Sequence, residues 1–154
     1  MSTPPAILLA VLAILLFAAA SWDLRCRQIP NLLNAGIALL AIIFWLSLGL
    51  SVWPDMLVRL AVGVGLFAVF AALFYLGMMG GGDVKLIAAL SLWLPPLAVI
   101  PLLTIMAIVG GILTLIMLVR ARLANAGTPE IPYGVAIAFA GLWMIAEPIF
   151  NHFA

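Results

Sequence analysis

Only five acidic residues occur in this chain of 154: Asp23, Asp55, Asp83, Glu130 and Glu147. The sequence around them is 68% hydrophobic and 7% charged. A carboxylate in or near hydrocarbon is held there at a free-energy cost, so each is a candidate for ionisable chemistry. Three of the five read as ordinary. Asp55 stands in a loop close to Arg59, Glu130 lies in the polar connection "ANAGTPE", and Glu147, just before Pro148, reads as an end residue reaching for the headgroups. Asp23 and Asp83 are different. Asp23 closes an apolar run in "SWDLRCRQIPN", and Asp83 follows three glycines in "GMMGGGDVKL". Both fall at the ends of helical runs on the same predicted side of the membrane. Two carboxylates that come close cannot both ionise, and they share a proton. One then acts as base toward a water while the other donates a hydrogen bond to a carbonyl. Such a pair titrates as a unit.

The residues beside Asp83 bear on the same chemistry. Gly80, Gly81 and Gly82 allow torsions and a close backbone approach that a side chain forbids. An extended substrate strand fits against such a loop, although a plain turn between two helices also explains three glycines. Lys85 either tunes the Asp83 carboxyl or snorkels to the headgroups. Other chemistries find little support. The one cysteine, Cys26, sits between Arg25 and Arg27 and leaves no internal disulfide and no CxxC zinc site. The one histidine, His152, lies close to a predicted outer terminus with no serine or cysteine to activate. No metal site and no cofactor motif is visible, and a net charge of +1 gives no surface for nucleic acid.

The elements that must position these residues are apolar helices. With a mean hydropathy of +1.40 and recurrent runs of about 20 apolar residues, the expected class is an all-α integral membrane protein. The expectation is one polytopic domain over residues 1–154, with no soluble or zinc-binding part. Six segments are predicted, Pro5–Trp22, Leu32–Val52, Leu57–Met79, Val84–Leu94, Leu97–Val119 and Tyr133–Phe150, with the GGGD loop opening the fourth. The fourth is too short to span alone and ends at Pro95-Pro96. Merging it with the fifth through those prolines would give five. Asn31 is the expected cap of the second helix. The first segment has the small-residue end of a signal peptide but no basic n-region, so a retained helix is expected.

Five of the six Lys and Arg residues, all but Arg59, fall in the odd-numbered connections. The positive-inside rule places these in the cytoplasm and both termini outside. Trp22, Trp53 and Trp93 sit at segment ends, as an interfacial aromatic belt requires. Small residues spaced by four mark packing faces at Ala61/Gly65, Ala68/Ala72, Gly110/Thr114 and Ala136/Ala140.

These motifs resemble a known family. "GGGD" at Gly80–Asp83, followed by "VKL", is similar to the GxGD signature of intramembrane aspartyl proteases as it stands in the prepilin peptidases. "DLRCRQIPN" at Asp23–Asn31 resembles that family's first-aspartate motif, and "IPYG" at Ile131–Gly134 the motif opening its last helix. The order of three motifs over most of the chain is more specific than GxGD alone. The resemblance implies a type IV prepilin leader peptidase of the bacterial inner membrane. Asp23 and Asp83 would be its catalytic pair, a pilin precursor its substrate, and the pilus assembly machinery a further candidate partner. The cytoplasmic site it implies agrees with the side read from Lys and Arg. Larger members carry a cytoplasmic insertion with paired CxxC motifs and methylate the new amino terminus. With one cysteine and a short first connection, this chain is expected to lack that activity and to resemble the compact peptidases of Tad-type pilus systems. Two readings from other classes remain at this point. A proton-coupled transporter would use the two acids as carriers, and a non-enzymatic pilus subunit would keep the fold with inert acids.

Overall fold

The computed structural model describes residues 3–125, 127 and 130–153, without the side chains of residue 3 and of 148–153. His152 is among those whose side chain lies outside the described residues. Six helices follow one another: α1 (Thr3–Cys26), α2 (Asn31–Ser47), α3 (Leu57–Tyr75), α4 (Gly81–Ser91), α5 (Val99–Leu123) and α6 (Tyr133–Phe153). A π-type turn, Val52–Met56, leads into α3, and a short 3-10 turn, Pro96–Ala98, leads into α5. The prolines at 95 and 96 therefore separate the fourth and fifth segments instead of kinking one helix. Among the described residues there is no strand.

Three stretches are long and apolar enough to cross a membrane, Pro4–Cys26, Val52–Tyr75 and Pro96–Leu123, and the apolar helices Asn31–Ser47 and Tyr133–Glu147 are shorter. The protein is an integral membrane protein of helical class. At about 1.5 Å per residue, α4 is only about 16 Å long, roughly half the hydrocarbon thickness.

α1, α2, α4 and α6 form an inner ring. α1 packs on α2 and α6, and α4 packs on the same two from the other side. α3 lies outside against α4, and α5 outside against α6. The core is built from Leu12, Leu16 and Ala19 of α1, Ile37 and Ala41 of α2, Leu86, Ile87 and Leu90 of α4, and Ile137 and Ala140 of α6. In lipid, apolarity alone does not drive helices together, and close packing and hydrogen bonds decide which faces meet. α2 and α4 are joined by two indoles working in opposite directions. Trp45 Nε1 donates to the Leu92 carbonyl at 2.7 Å, and Trp93 Nε1 donates to the Ile37 carbonyl at 3.0 Å. Phe44 stacks on Trp93 with ring centroids 5.0 Å apart.

Trp93 is thus a core residue, 3% exposed, and not a member of the aromatic belt. The polar demand of its indole is met by a helix carbonyl, which lets the ring leave the interface. Trp22 and Trp53 remain exposed. The small-residue faces divide in the same way. Ala136 and Ala140 are buried, and Gly110 meets Tyr133 and Ala136. Ala61, Gly65, Ala68 and Ala72 of α3 are exposed, so that face packs on no other helix of the chain.

α3 ends in a Schellman turn. Gly77, at φ +72, donates to Phe74 O, and Met78 N donates to Leu73 O. The left-handed residue at C′ that this motif needs is a glycine, and it turns the chain toward the GGGD segment. α1 ends on a left-handed residue as well, Arg27 at φ 54. That turn folds the Gln28–Pro30 connection back under the bundle.

Candidate active site

Asp83 is the third residue of α4, which Gly80 caps in extended conformation. Its carboxyl turns back over the cap, and a Cβ on Gly80 would lie 2.9 Å from Asp83 Oδ2. A carboxylate reaching back to the cap residue's N–H is the acidic half of a capping box, favoured at a helix start. Asp23 lies in the last turn of α1 and faces the first turn of α6. A Cβ on Gly134 would come within 2.8 Å of Asp23 Oδ2. The N–H groups of Gly134 and Val135 lie beside this carboxyl, yet Oδ2 is buried with no hydrogen-bond partner.

The two acids meet. Asp23 and Asp83 line the same hollow of about 490 Å³, together with Arg27, Gly80, Glu130 and Tyr133. A neighbouring hollow of about 290 Å³, lined by Gln28, Asn31 and Lys85, also contains both. They are 4% and 9% exposed, and the buried ionisable side chains among the described residues are these two. No group of three His, Cys, Asp or Glu side chains among the described residues gathers to hold a metal ion.

Ile29 explains why glycines surround the pair. It is 6% exposed and sits between α4 and α6. A Cβ on Gly82 would lie 3.2 Å from Ile29 Cβ and N, and one on Gly134 2.7 Å from Ile29 Cδ1. A Cβ on Gly81 would lie 3.3 Å from the ring of Phe74. Packing against Ile29 and Phe74 gives Gly82 and Gly81 a reason to be glycine besides the expected bed for a substrate strand. All three glycines line the smaller hollow, and Gly80 lines the larger one as well. Asn34 then locks the loop, with Nδ2 donating to the Gly82 carbonyl at 3.1 Å.

Lys85 and Asn31 differ from expectation together. Lys85 is exposed, but its Nζ donates to Asn31 Oδ1 at 2.7 Å instead of reaching away to the headgroups. Asn31 is the first residue of α2 and its side chain is committed to Lys85. Pro30 occupies the cap position, with no side-chain cap hydrogen bond. Of the remaining acids, Asp55 accepts from the Ser51 N–H and hydroxyl, while Arg59 Nη1 reaches the Trp93 carbonyl at 3.5 Å. Glu130 is exposed at the rim of the larger hollow. Glu147 is exposed beside a separate apolar cavity between α1, α4 and α6.

Sequence reasoning missed Asn34, Ile29 and the contact of Gly134 with Asp23. Asn34 offered one usable signal, an amide inside an otherwise apolar helix. Gly134 stood in a motif that carried no stated role.

The chain is similar to known proteins. A prepilin leader peptidase/N-methyltransferase of Xanthomonas campestris pv. campestris is 32% identical over 139 residues, which cover 88% of this chain and 47% of that protein. The chain therefore spans about half the length of that relative. No solved structure matches. A model of the type IV leader peptidase family matches residues 10–115, a span that takes in both Asp23 and Asp83. This chain belongs to the type IV leader peptidase family.

Proposed function

We propose that this protein hydrolyses the leader from type IV or Flp-like pilin precursors, with Asp23 and Asp83 as the catalytic pair. The observation that carries the reading is that two buried carboxyl groups of a family member line one hollow at the end of the inner ring. The pair holds one proton. The ionised member takes a proton from water as the oxygen attacks the scissile carbonyl carbon. The protonated member hydrogen-bonds the carbonyl oxygen and stabilises the charge that develops there. The tetrahedral intermediate then collapses, the C–N bond breaks, and the new amine takes a proton from the pair. No covalent enzyme intermediate is required.

The active site belongs at the cytoplasmic face of the bacterial inner membrane, with both termini periplasmic. Arg25, Arg27 and Lys85, which lie close to the acids in sequence, support that side. The chain acts as a peptidase without N-methyltransferase activity, in the manner of the compact Tad-type enzymes. The connection between α1 and α2 is only the four residues Arg27–Pro30, and Cys26 is the single cysteine.

The test is co-expression with a candidate pilin precursor in a host without its own peptidase, reading the pilin amino terminus by mass spectrometry. Leader loss with an unmethylated terminus is expected, and Asp23→Asn or Asp83→Asn alone should abolish it. Cleavage that survives either substitution breaks the two-carboxylate mechanism. The pH profile should be bell-shaped, because low pH protonates the base and high pH removes the shared proton.

A further inference from the structure

Four helices end on a residue in the left-handed region. α2 ends at Gly49 (φ 67), α3 at Gly77 (φ 72), α5 at Asn125 (φ 48) and α1 at Arg27 (φ 54). Glycine and asparagine are the residues this cap favours, because a larger side chain crowds the backbone there. Arg27 alone among the four breaks the pattern. Its N–H donates to the Asp23 carbonyl at 3.0 Å, the bond that closes such a cap. Glycine would make the same bond without the steric cost. The backbone therefore does not ask for arginine, and the reason for it lies in the side chain.

Topology does not ask for it either. The positive-inside rule needs a cation somewhere in this connection. Arg25 supplies one, and it lines a separate hollow with Ser21, Trp22 and Cys26. Arg27 instead lines both hollows that contain Asp23 and Asp83. Among the described residues, the other charged or titratable groups lining them are Glu130 and Tyr133, at the start of α6, and Lys85 of α4. α2 brings only the Asn31 amide, the α3–α4 connection brings no charge, and α5 lines neither hollow. Lys85 lines the smaller hollow alone, and its Nζ is held on Asn31. Arg27 is thus the cation common to both, in front of two carboxyls that are 4% and 9% exposed.

A carboxyl pair of this kind works while it carries one negative charge. Burial disfavours that charge, and a neighbouring cation favours it. We propose, on the peptidase reading above, that Arg27 is a positioning residue whose guanidinium sustains the single negative charge of the Asp23–Asp83 pair. It acts from the mouth of the hollow, through the carboxyls, and sets the pH range over which they can work.

The test is the pH profile of precursor processing by the purified full chain in detergent, for the native chain, Arg27→Gly and Arg27→Lys. Arg27→Gly removes the charge while suiting the left-handed turn, so its thermal unfolding temperature should equal or exceed that of the native chain. Loss of a cation disfavours each deprotonation of the pair, so both limbs of the bell should move to higher pH by about one unit. Processing on the acid limb should fall about ten-fold, and more alkaline buffer should restore it. Arg27→Lys keeps the charge and should keep the native profile.

A bell that stays in place with Arg27→Gly overturns the proposal. A uniform loss at every pH would assign Arg27 to substrate contact, and an unchanged rate would leave it a topological charge only. A profile displaced as far by Arg27→Lys as by Arg27→Gly overturns it too, because charge is then not the cause. These outcomes sink the role of Arg27 alone. No processing by the native chain at any pH sinks the peptidase reading, and the role with it.

Discussion

α3 and α4 pack side by side, yet they are opposites. α3 is long and apolar beyond Arg59 in its first turn, and Gly63 is its one buried residue. α4 is short, carries Asp83 and Lys85, and buries seven of its eleven residues. In a soluble protein the more apolar helix would be the core. In a bilayer the solvent is itself apolar, so an apolar helix needs no protein around it, and burial goes to the helix with polar groups to satisfy. α4 has the Asp83 carboxyl at its first turn, and the carbonyl of Leu92 just past its last turn is taken by Trp45. The inner ring forms around those groups, while α3 and α5 shield it at the edge.

Substitutions can break this contrast, and the largest effects should fall at the acids. Asp83→Asn or Asp23→Asn should cut leader processing by about a thousand-fold or more, the order expected when acid–base catalysis is lost. Purified protein should keep its helical content by circular dichroism. A loss shared equally by polar substitutions in α3 would remove the distinction between the two helices.

Next come the glycines with neighbours. Gly134→Ala would set a Cβ against Ile29 and Asp23, and Gly82→Ala one against Ile29. Each should lower processing by about ten- to a hundred-fold, within the range for small misplacements at a catalytic centre. Gly65→Ala and Gly111→Ala meet nothing within 4 Å and should process normally in the same assay. Equal behaviour of the two sets would show that Ile29 does not fix the loop.

Trp93→Leu sharpens the contrast on the stability side. It removes the hydrogen bond to Ile37 and the stack on Phe44, and destabilisation of about 2–4 kcal/mol is expected from the lost packing and the lost hydrogen bond. A fall in thermal unfolding temperature in detergent would report it. The smallest change belongs to Val69→Leu on the exposed face of α3. It should stay within about 0.5 kcal/mol of the native chain, as substitutions away from packed features do.

Much of this was legible before any coordinates. Runs of apolar residues show where helices lie because a spanning backbone must satisfy its own hydrogen bonds. Pro95 and Pro96 show where one stops. Asp23 and Asp83 stand out because acids are rare in such a chain. Trp93 was misread for a physical reason, since an indole at a segment end suits the interface and the core equally. Only the partner for its N–H distinguishes them. Lys85 was ambiguous in the same way until Asn31 appeared beside it.

The sequence by itself determined the helices, their class and the two carboxyl groups, because hydropathy, proline breaks and rare acids are local properties of the chain. Tertiary structure alone decided that Asp23 and Asp83 share a hollow, that Ile29 requires Gly82 and Gly134, and that Asn34 ties α2 to the Gly82 carbonyl. Those facts depend on which faces of distant helices meet. In an apolar solvent that choice is made by close packing and polar satisfaction, which no one-dimensional pattern of apolar residues encodes.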